Sequence, residues 1–421
     1  MHHSNFVSDN HDFTLSDSEE RLSVKIVNSL LKIEQKLDLG MSKLDREAIL
    51  KNAIKKTGYK NFGNEKYIEV LDRFVDNINK ADITPLSKFS LNFLARKTAM
   101  NRLHIENYIE KHPEIEDIPI ESPVFVTGFP RTGTTLLQNV LSSGDGYRSL
   151  YFWELATPYP LHEDKKKDRK MRIAEIDLAL KMLKRAVPEM TTAHDIGVNT
   201  KEEDWILLAN SLYIPHVDIM TGLTEWNDWL MKMDRTWVFK EYKRQLQIQA
   251  HNMPTEKFVL KSPSHLFDLE PLMKIFPDAC IVWTHRNIIN SIASSASLGS
   301  LLRKFFFGYV DQKQVGEMVE NRFHSIIMDA MKFREKINNN QFYDNNFETL
   351  VKDIPLGVKN IRNHFGLPHD KSHDKAVQDF LNEPRKDKPG KHRYSPEQFG
   401  LDKDEIIDRF SMYIDKFNVK V

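Results

Sequence analysis

The sequence predicts an α/β fold, in which a parallel sheet is flanked by helices and preceded by an N-terminal helical accessory region. Three short runs rich in β-branched and aromatic residues predict buried strands: VFVTG from Val124, FVLKSP at 258–263 and ACIVWTHR at 279–286. The first run leads directly into a Gly-rich turn and a helix. The 421 residues exceed a usual single core, so we expect one large α/β domain and an accessory region.

The N-terminal part is predicted to be disordered at residues 1–15 and helical over 16–118. Ser16 and the following residues give a capping-box spacing ahead of apolar residues at helical intervals. A second helix is expected to begin near Ser42 and to end at Gly58, because glycine accepts the left-handed cap conformation. Further amphipathic helices are predicted before the Pro-rich step that leads into the first strand.

The Gly-rich turn after the first strand predicts an anion-binding loop of the P-loop nucleotide-binding type. Backbone N–H groups in such a turn converge on one point, and the dipole of the following helix adds partial positive charge. Gly128 and Gly133 have the spacing of the G-x-x-x-x-G-K-[ST] loop of nucleotide triphosphatases. Thr134 stands where that loop has Lys, however, and the loop's cation is Arg131. The loop is therefore predicted to bind an anion without the usual ATP–Mg²⁺ equipment.

The other two predicted strands end in cations. FVLKSP ends in Lys261 and Ser262, and ACIVWTHR ends in His285 and Arg286. Because the carboxyl ends of parallel strands meet at one edge of a sheet, we expect these cations to lie near the loop. A Mg²⁺-dependent phosphotransferase needs an acidic residue at such a strand end, and neither strand supplies one. The predicted cleft binds anions and uses no metal.

These segments resemble the PAPS-dependent sulfotransferases, whose donor is 3′-phosphoadenosine 5′-phosphosulfate. GFPRTGTTLL is similar to the family's 5′-phosphosulfate loop, and THRNIINSIASSASL is similar to its 3′-phosphate motif, with Arg286 followed eight residues later by Ser294. The resemblance is strongest to the branch with P-R-T-G-T-T, W-E, L-K-S-P-x-H-L and a C-terminal H-x-Y-x-x-x-x-F-G-L. It runs from about residue 95 to the C-terminus and is weak between about 160 and 250.

The resemblance implies in-line transfer of the sulfuryl group of PAPS to a hydroxyl or amine of a small-molecule acceptor. Adenosine 3′,5′-bisphosphate would be the product, and no metal would be required. The residues expected to bind the donor are Arg131, Thr132, Gly133, Thr134, Thr135, Arg286, Ser294, Lys391 and Arg393. Lys391 and Arg393 would contact the donor's 3′-phosphate or the acceptor, and a plain surface loop is an equal alternative for both.

The reaction needs a cation at the departing oxygen and a base for the acceptor's proton. Arg131 and Lys261 are expected to supply the positive charge. Two residues are candidates for the base. His194 lies in an H-x-x-G-x-x-x-x-E-E pattern of the family, and Glu154 occupies the place where related tyrosyl-protein enzymes keep a catalytic carboxylate. We slightly favour His194, since an imidazole is suited to proton transfer at neutral pH.

The resemblance places the sulfotransferase domain at 119–421. Within it, residues 160–250 are expected to form the acceptor pocket or a lid, because they contain the aromatic cluster Trp226, Trp229 and Trp237; ordinary helical core is the alternative for each ring. Residues 385–421 would close the site, and 402–417 are predicted to form one terminal amphipathic helix.

Composition limits the partners and the compartment. Lys plus Arg equals Asp plus Glu at 60 each, so no overall field attracts nucleic acid. The single cysteine, Cys280, lies in an apolar strand and is expected to be a core residue in a reducing compartment. Neither a leader sequence nor a membrane span is apparent, so we expect a cytoplasmic protein that does not bind membranes. The sequence does not indicate an oligomeric state.

Two other functions remain open from the sequence. A P-loop kinase acting on a small molecule would have the same fold, although Thr134 in place of Lys argues against it. A non-catalytic helical scaffold with a degenerate nucleotide loop would bind its partner without help from Arg131 or Arg286.

Overall fold

A computed structural model describes residues 22–37, 44–186, 196–215, 217–254, 257–383 and 394–421. Its centre is a five-stranded sheet in which every pairing is parallel, with the strand order β2-β3-β1-β4-β5. The strands are β1 (Val124–Gly128), β2 (Tyr147–Arg148), β3 (Lys257–Lys261), β4 (Cys280–His285) and β5 (Phe342–Asn346). The predicted α/β class is confirmed, and the three predicted strands form the middle of this sheet.

Helices precede, connect and follow the strands. Ahead of the sheet lie α1 (Leu22–Lys36), α2 (Arg46–Thr57), α3 (Lys66–Lys80) and α4 (Pro85–Lys111). Between β1 and β3 lie α5 (Thr134–Leu141), α6 (Phe152–Ala156), α7 (Lys165–Ala186), α8 (Trp205–Ala209), α9 (Val217–Thr221), α10 (Thr224–Lys232) and α11 (Thr236–Asn252). The remaining helices are α12 (Leu269–Ile275), α13 (Ile288–Phe307), α14 (Gln312–Arg334), α15 (Phe347–Leu350), α16 (Ile354–His364), α17 (Lys371–Asn382), α18 (Lys403–Arg409) and α19 (Ser411–Phe417). Short 3₁₀ helices lie at Pro113–Asp117, Pro263–Phe267, Asn339–Gln341 and Pro396–Phe399.

The N-terminal helices begin and end where local chemistry favours it. The carboxylate of Asp45 caps α2 by accepting a hydrogen bond from the backbone N–H of Ala48 at 2.6 Å. The same helix ends at Gly58, which has φ = 76°, as the sequence predicted. The predicted start near Ser42 is three residues earlier than this cap. The helix α4 starts with a Thr84 cap and Pro85 in its first turn.

Side chains that alternate along the strands enter two separate hydrophobic cores. In β1, Val124 and Val126 pack against α5 and α16 on one face, whereas Phe125 belongs to the larger core on the other face. The larger core also contains Phe74 of α3, whose ring lies edge-on to Trp226 at 5.5 Å. The helical region over 22–111 thus shares its core with the sheet. The domain boundary at residue 119 stays a prediction.

The C-terminal helices lie over the end of β4. The single helix predicted for 402–417 is instead two helices, α18 and α19, which are separated at the fully buried Phe410. In α19, the hydroxyl of Tyr413 lies 2.9 Å from Nδ1 of His285, and the ring of Phe417 stacks on the same imidazole at 4.2 Å. These contacts hold the last helix against the carboxyl end of β4.

Cys280 is a buried residue of β4, as predicted, and burial raises the pKa of its thiol to about 12. The thiol is therefore neutral at physiological pH and packs as a small apolar group. Among the helices of the described ranges, none is both long enough and apolar enough to cross a lipid bilayer.

Candidate active site

The loop between β1 and α5 has an unusual backbone. Gly128, Arg131 and Gly133 all have positive φ angles, of 141°, 71° and 86° respectively. Glycine adopts such angles without steric cost, but for Arg131 the left-handed conformation costs on the order of 1 kcal/mol. Within the turn, the hydroxyl of Thr132 donates a hydrogen bond to the carbonyl of Phe129 at 2.7 Å. The loop is a fixed, tightly folded structure at the carboxyl end of the central strand.

The carboxyl end of β4 packs directly against this loop. Gly128 pairs with Thr284 in the sheet, and a Cβ at residue 128 would overlap the Thr284 hydroxyl and lie 2.5 Å from its carbonyl oxygen. The hydroxyls of Thr132 and Thr284 lie 2.6 Å apart. Glycine is thus required by the approach of the neighbouring strand as well as by its own φ angle. The sequence alone did not identify Thr284, whose role depends on strand register.

Arg286 connects β4 to the loop through its guanidinium group. Its Nη1 donates a hydrogen bond to the carbonyl of Arg131 at 2.8 Å, and the guanidinium carbon lies 4.3 Å from the ring centroid of Phe347. The same Phe347 ring covers Gly133, where a Cβ would overlap the ring. Phe347 therefore fixes both the cation and the second glycine of the loop. Sequence reasoning missed this residue, because it lies on a strand–helix junction far along the chain.

Lys261 lies at the end of β3, paired in register with Val126 of β1. Its side chain is only 1% exposed, and its Nζ forms an ion pair with the carboxylate of Glu203 at 3.0 Å. Glu203 is 24% exposed, so the pair extends from the protein interior toward solvent. The adjacent residue, Glu202, accepts a hydrogen bond through its backbone carbonyl from the side chain of Gln138 in α5. The Glu–Glu part of the sequence pattern therefore lies between Lys261 and the loop helix.

Glu154 occupies a closed environment, with its side chain only 4% exposed. One carboxylate oxygen contacts the guanidinium of Arg148, and the other accepts a hydrogen bond from the backbone N–H of Tyr151 at 2.9 Å. Next to it, Trp153 packs under the guanidinium of Arg172 at 4.5 Å. These contacts give both residues a structural function, since Glu154 connects α6 to β2 and Trp153 connects α6 to α7. The catalytic function expected for Glu154 stays a prediction.

The remaining predicted residues lie in the helices that follow β1 and β4 or outside the described ranges. Thr134 is buried and Thr135 exposed in the first turn of α5, and Ser294 lies half-buried on α13. His194, Lys391 and Arg393 lie outside the described residues. The structure thus brings Arg131, Lys261 and Arg286 to the carboxyl edge of three adjacent strands.

A partly buried network of charged side chains lies directly before Arg286, in which His285 is 1% and Asp344 37% exposed. His285 pairs with Asp344 of β5 at 3.0 Å, and Asp344 accepts two hydrogen bonds from Arg334 at 2.6 and 2.8 Å. Burial lowers the pKa of His285, because the imidazolium form is disfavoured away from water. Burial alone would raise the pKa of Asp344, but hydrogen bonds from His285 and Arg334 lower it to about 2. The end of β4 therefore carries its positive charge on Arg286 and not on the neighbouring histidine.

Comparison with known proteins identifies the family. A family model described as the sulfotransferase family matches residues 123–371. Among curated relatives, the omega-hydroxy-beta-dihydromenaquinone-9 sulfotransferase Stf3 of Mycobacterium bovis, like that of Mycobacterium tuberculosis, is 22% identical over 322 residues, which cover 70% of this chain and 76% of the relative.

Two solved structures have the same fold. Sulfotransferase STF1 from Mycobacterium tuberculosis is 27% identical, with a TM-score of 0.77 over 88% of this chain and all of the other. Sulfotransferase STF9 from Mycobacterium avium is 24% identical and has a TM-score of 0.75 over 89% of this chain and 97% of its own. The resemblance noted in the sequence is thereby confirmed.

Replacing Gly128 with alanine tests the fit between the loop and β4. We expect Gly128→Ala to lower the free energy of unfolding by at least about 2 kcal/mol more than Gly366→Ala does. Gly366 has φ = 63°, but a Cβ added there would meet no atom within 4 Å, so its substitution costs only the conformational strain of roughly 1 kcal/mol. Urea denaturation of both variants measures the difference. Equal losses would show that Thr284 does not constrain the loop.

Proposed function

Because this chain belongs to the sulfotransferase family, and is therefore a sulfotransferase, we propose that the carboxyl edge of its sheet is where PAPS binds and reacts. The observation that carries this proposal is the hydrogen bond from Arg286 to the carbonyl of Arg131. It joins the loop expected to hold the 5′-phosphosulfate to the motif expected to hold the 3′-phosphate. One donor molecule can then contact both.

The residues fit such a donor. Gly128 and Gly133 let the loop pack closely against Thr284 and Phe347, and the amino end of α5 favours an anion at the loop. Arg286 is held by Phe347 and by the loop carbonyl, so little side-chain freedom is lost when its guanidinium binds a phosphate. Ser294 lies farther along α13, which begins directly after Arg286. We assign the 3′-phosphate to this pair.

In the proposed reaction, the acceptor oxygen or nitrogen attacks sulfur while the bond between sulfur and the 5′-phosphate oxygen breaks. The base takes the acceptor's proton, and adenosine 3′,5′-bisphosphate leaves. Lys261 and Arg131 lower the barrier by stabilising negative charge on the departing oxygen, and Lys261 acts in a buried environment where that effect is strong. Glu203 balances the charge of Lys261 in the absence of donor. These cations supply the charge stabilisation for which a phosphotransferase uses Mg²⁺.

Calorimetry with adenosine 3′,5′-bisphosphate tests the donor site. In the absence of metal we expect tight binding, weakened about 10- to 100-fold by Arg286→Ala because a charge-assisted contact to phosphate is lost. Arg46→Ala, which removes an exposed guanidinium paired with Asp72, serves as the matched control and should bind like the wild type. Binding that depends on Mg²⁺, with turnover of ATP but not PAPS, would instead support a kinase. A scaffold would instead fail to bind adenosine 3′,5′-bisphosphate tightly and would keep its partner binding in both Arg131→Ala and Arg286→Ala.

We propose His194 as the base and not Glu154, because both oxygens of Glu154 are already bonded and its side chain is almost fully enclosed. His194→Asn should lower kcat by about 10²- to 10⁴-fold while leaving the affinity for adenosine 3′,5′-bisphosphate unchanged.

Glu154→Gln should retain most of kcat but lower the free energy of unfolding by about 3 kcal/mol, since Arg148 loses its buried partner. Steady-state kinetics and urea denaturation measure the two effects. The opposite pattern, with kcat lost and stability kept in Glu154→Gln, would assign the base to Glu154.

For the acceptor, we propose a small molecule that carries a hydroxyl or amine and binds in a cavity of about 580 Å³. The cavity adjoins the donor loop through α14. Phe129 of the loop stacks on Phe323 of α14, with ring centroids 3.9 Å apart, and Arg322, which precedes Phe323, lines the cavity. Apolar Phe307 and Met318 line it as well. The name of the mycobacterial relative specifies a hydroxylated menaquinone, which supports an alcohol with an apolar body. Of residues 160–250, Gly222 and Thr224 line this cavity, whereas Trp226 and Trp237 are buried core.

A screen of hydroxylated and aminated small molecules with PAPS, read by product mass, identifies the acceptor. With an acceptor found, we expect Phe307→Ala to raise its KM about 10-fold, because apolar contact is lost, and to leave binding of adenosine 3′,5′-bisphosphate unchanged. Met412→Ala, at an exposed apolar residue on α19, is the control and should change neither quantity. An unchanged KM in Phe307→Ala would exclude this cavity as the acceptor site.

A further inference from the structure

Three metal-ligating side chains from two distant parts of the chain meet on the surface. His112 follows α4, Glu114 lies in the next 3₁₀ helix, and His251 lies in the last turn of α11. One ligand atom from each lies within 4.8 Å of the other two. Two histidines and one glutamate form a known set of zinc ligands, with the fourth position left for water.

The distances within this cluster agree with zinc coordination. Oε1 of Glu114 lies 3.4 Å from Nδ1 of His112 and 3.3 Å from Nε2 of His251. Zinc binds nitrogen and oxygen at about 2.0–2.2 Å, so neighbouring ligands of a tetrahedral ion are roughly 3.3–3.5 Å apart. Both separations therefore leave the space that a tetrahedral ion needs, before any rearrangement of the side chains.

The hydrogen bonds behind His251 orient it as a ligand. Asn252 donates through its side-chain nitrogen to the carbonyl of Ile248 at 2.9 Å, which leaves its side-chain oxygen to accept from the hydroxyl of Tyr108 at 3.0 Å. With its own proton used, the Tyr108 oxygen accepts from Nδ1 of His251 at 3.3 Å. Nε2 is the ring nitrogen that faces Oε1 of Glu114, at 3.3 Å. The hydrogen bonds behind the ring therefore fix the orientation in which Nε2 and this carboxylate can share a metal ion.

We propose that His112, Glu114 and His251 bind a zinc ion that cross-links the end of α4 to the end of α11. The side chains are 39%, 58% and 27% exposed, so an ion can reach them without any opening of the fold. Zinc has the ligand preference for this combination of imidazole and carboxylate, and calcium and magnesium do not, because they bind through oxygen.

This site lies away from the reaction centre. The 3₁₀ helix with Glu114 leads into β1, and α11 leads into β3, so both elements lie at the amino edge of the sheet. The donor loop lies at the carboxyl edge, and five-residue strands at about 3.3 Å per residue separate the two edges by roughly 13 Å. At this distance from the donor loop, we assign the ion a structural function.

Calorimetric titration of the chelator-treated full-length protein with ZnCl₂ tests the proposal. We expect wild type to bind one more Zn²⁺ per chain than His251→Asn does. Tyr108→Phe, which keeps all three ligands but loses the orienting oxygen, should weaken this site about 10- to 100-fold. His364→Asn removes an exposed histidine that contacts the carbonyl of Asn340 ahead of β5, on another part of the fold, and is the matched control, expected to bind like the wild type.

Two further measurements complete the test. Zn²⁺ should raise the melting temperature of wild type and of His364→Asn but not that of His251→Asn or Glu114→Gln. Co²⁺ should give the visible absorption of a tetrahedral site only where the three ligands are intact. Equal Zn²⁺ stoichiometry and affinity in wild type, His251→Asn and Glu114→Gln would overturn the proposal and place the ions on other histidines. The binding of adenosine 3′,5′-bisphosphate should be the same with and without Zn²⁺, so failure here leaves the proposed donor site untouched.

Discussion

The contact between the end of β4 and the loop after β1 is the constraint on which the proposed donor site depends. Parallel register sets Thr284 beside Gly128, and the chain then continues directly to Arg286, whose guanidinium binds the carbonyl of Arg131. A loop that places an arginine in the left-handed conformation needs such external support, because strained backbone persists only where the surroundings over-determine it. Phe347 adds that support by covering both Gly133 and Arg286. The loop is thus held in shape by the same elements that would contact the donor.

Charge at this edge is compensated within the fold. Lys261 is fully buried but paired with Glu203, and Asp344 is held by both His285 and Arg334. A buried charge without a partner costs several kcal/mol, so these pairs let the protein keep cations at the site in the absence of an anionic ligand. The lowered pKa of His285 has the complementary effect, since a neutral imidazole next to Arg286 adds no repulsion to that cation. Under the proposed function, an incoming phosphosulfate would therefore meet a site that is polar and preorganised.

The sequence predicted the elements whose signals are local. Strand β1, the loop glycines and the cap at Gly58 each follow from residues within a few positions of one another. The edge strands β2 and β5 were missed, because Tyr147–Arg148 is very short and FYDNN lacks an apolar pattern; only their pairing with neighbours makes them strands. Thr284 and Phe347 were missed for the same reason, since each acts across the fold. Glu203 was part of the predicted Glu–Glu pattern, but its pairing with Lys261 was not predicted. The break at Phe410 reflects tertiary packing around a buried ring and not a local helix-breaking residue.

In a parallel sheet, ligand binding and structural stabilisation can be located at opposite edges. The connections at its carboxyl edge carry Arg131, Lys261 and Arg286, and their geometry is constrained by the ligand they would bind. The connections at the amino edge are free of that requirement and can serve stability alone. This sheet has only five strands, one of them two residues long, and it shares its larger core with helices that precede it in the chain. Contacts that fasten the end of α4 to the end of α11 at the amino edge therefore stabilise the scaffold without disturbing the loop on the opposite side.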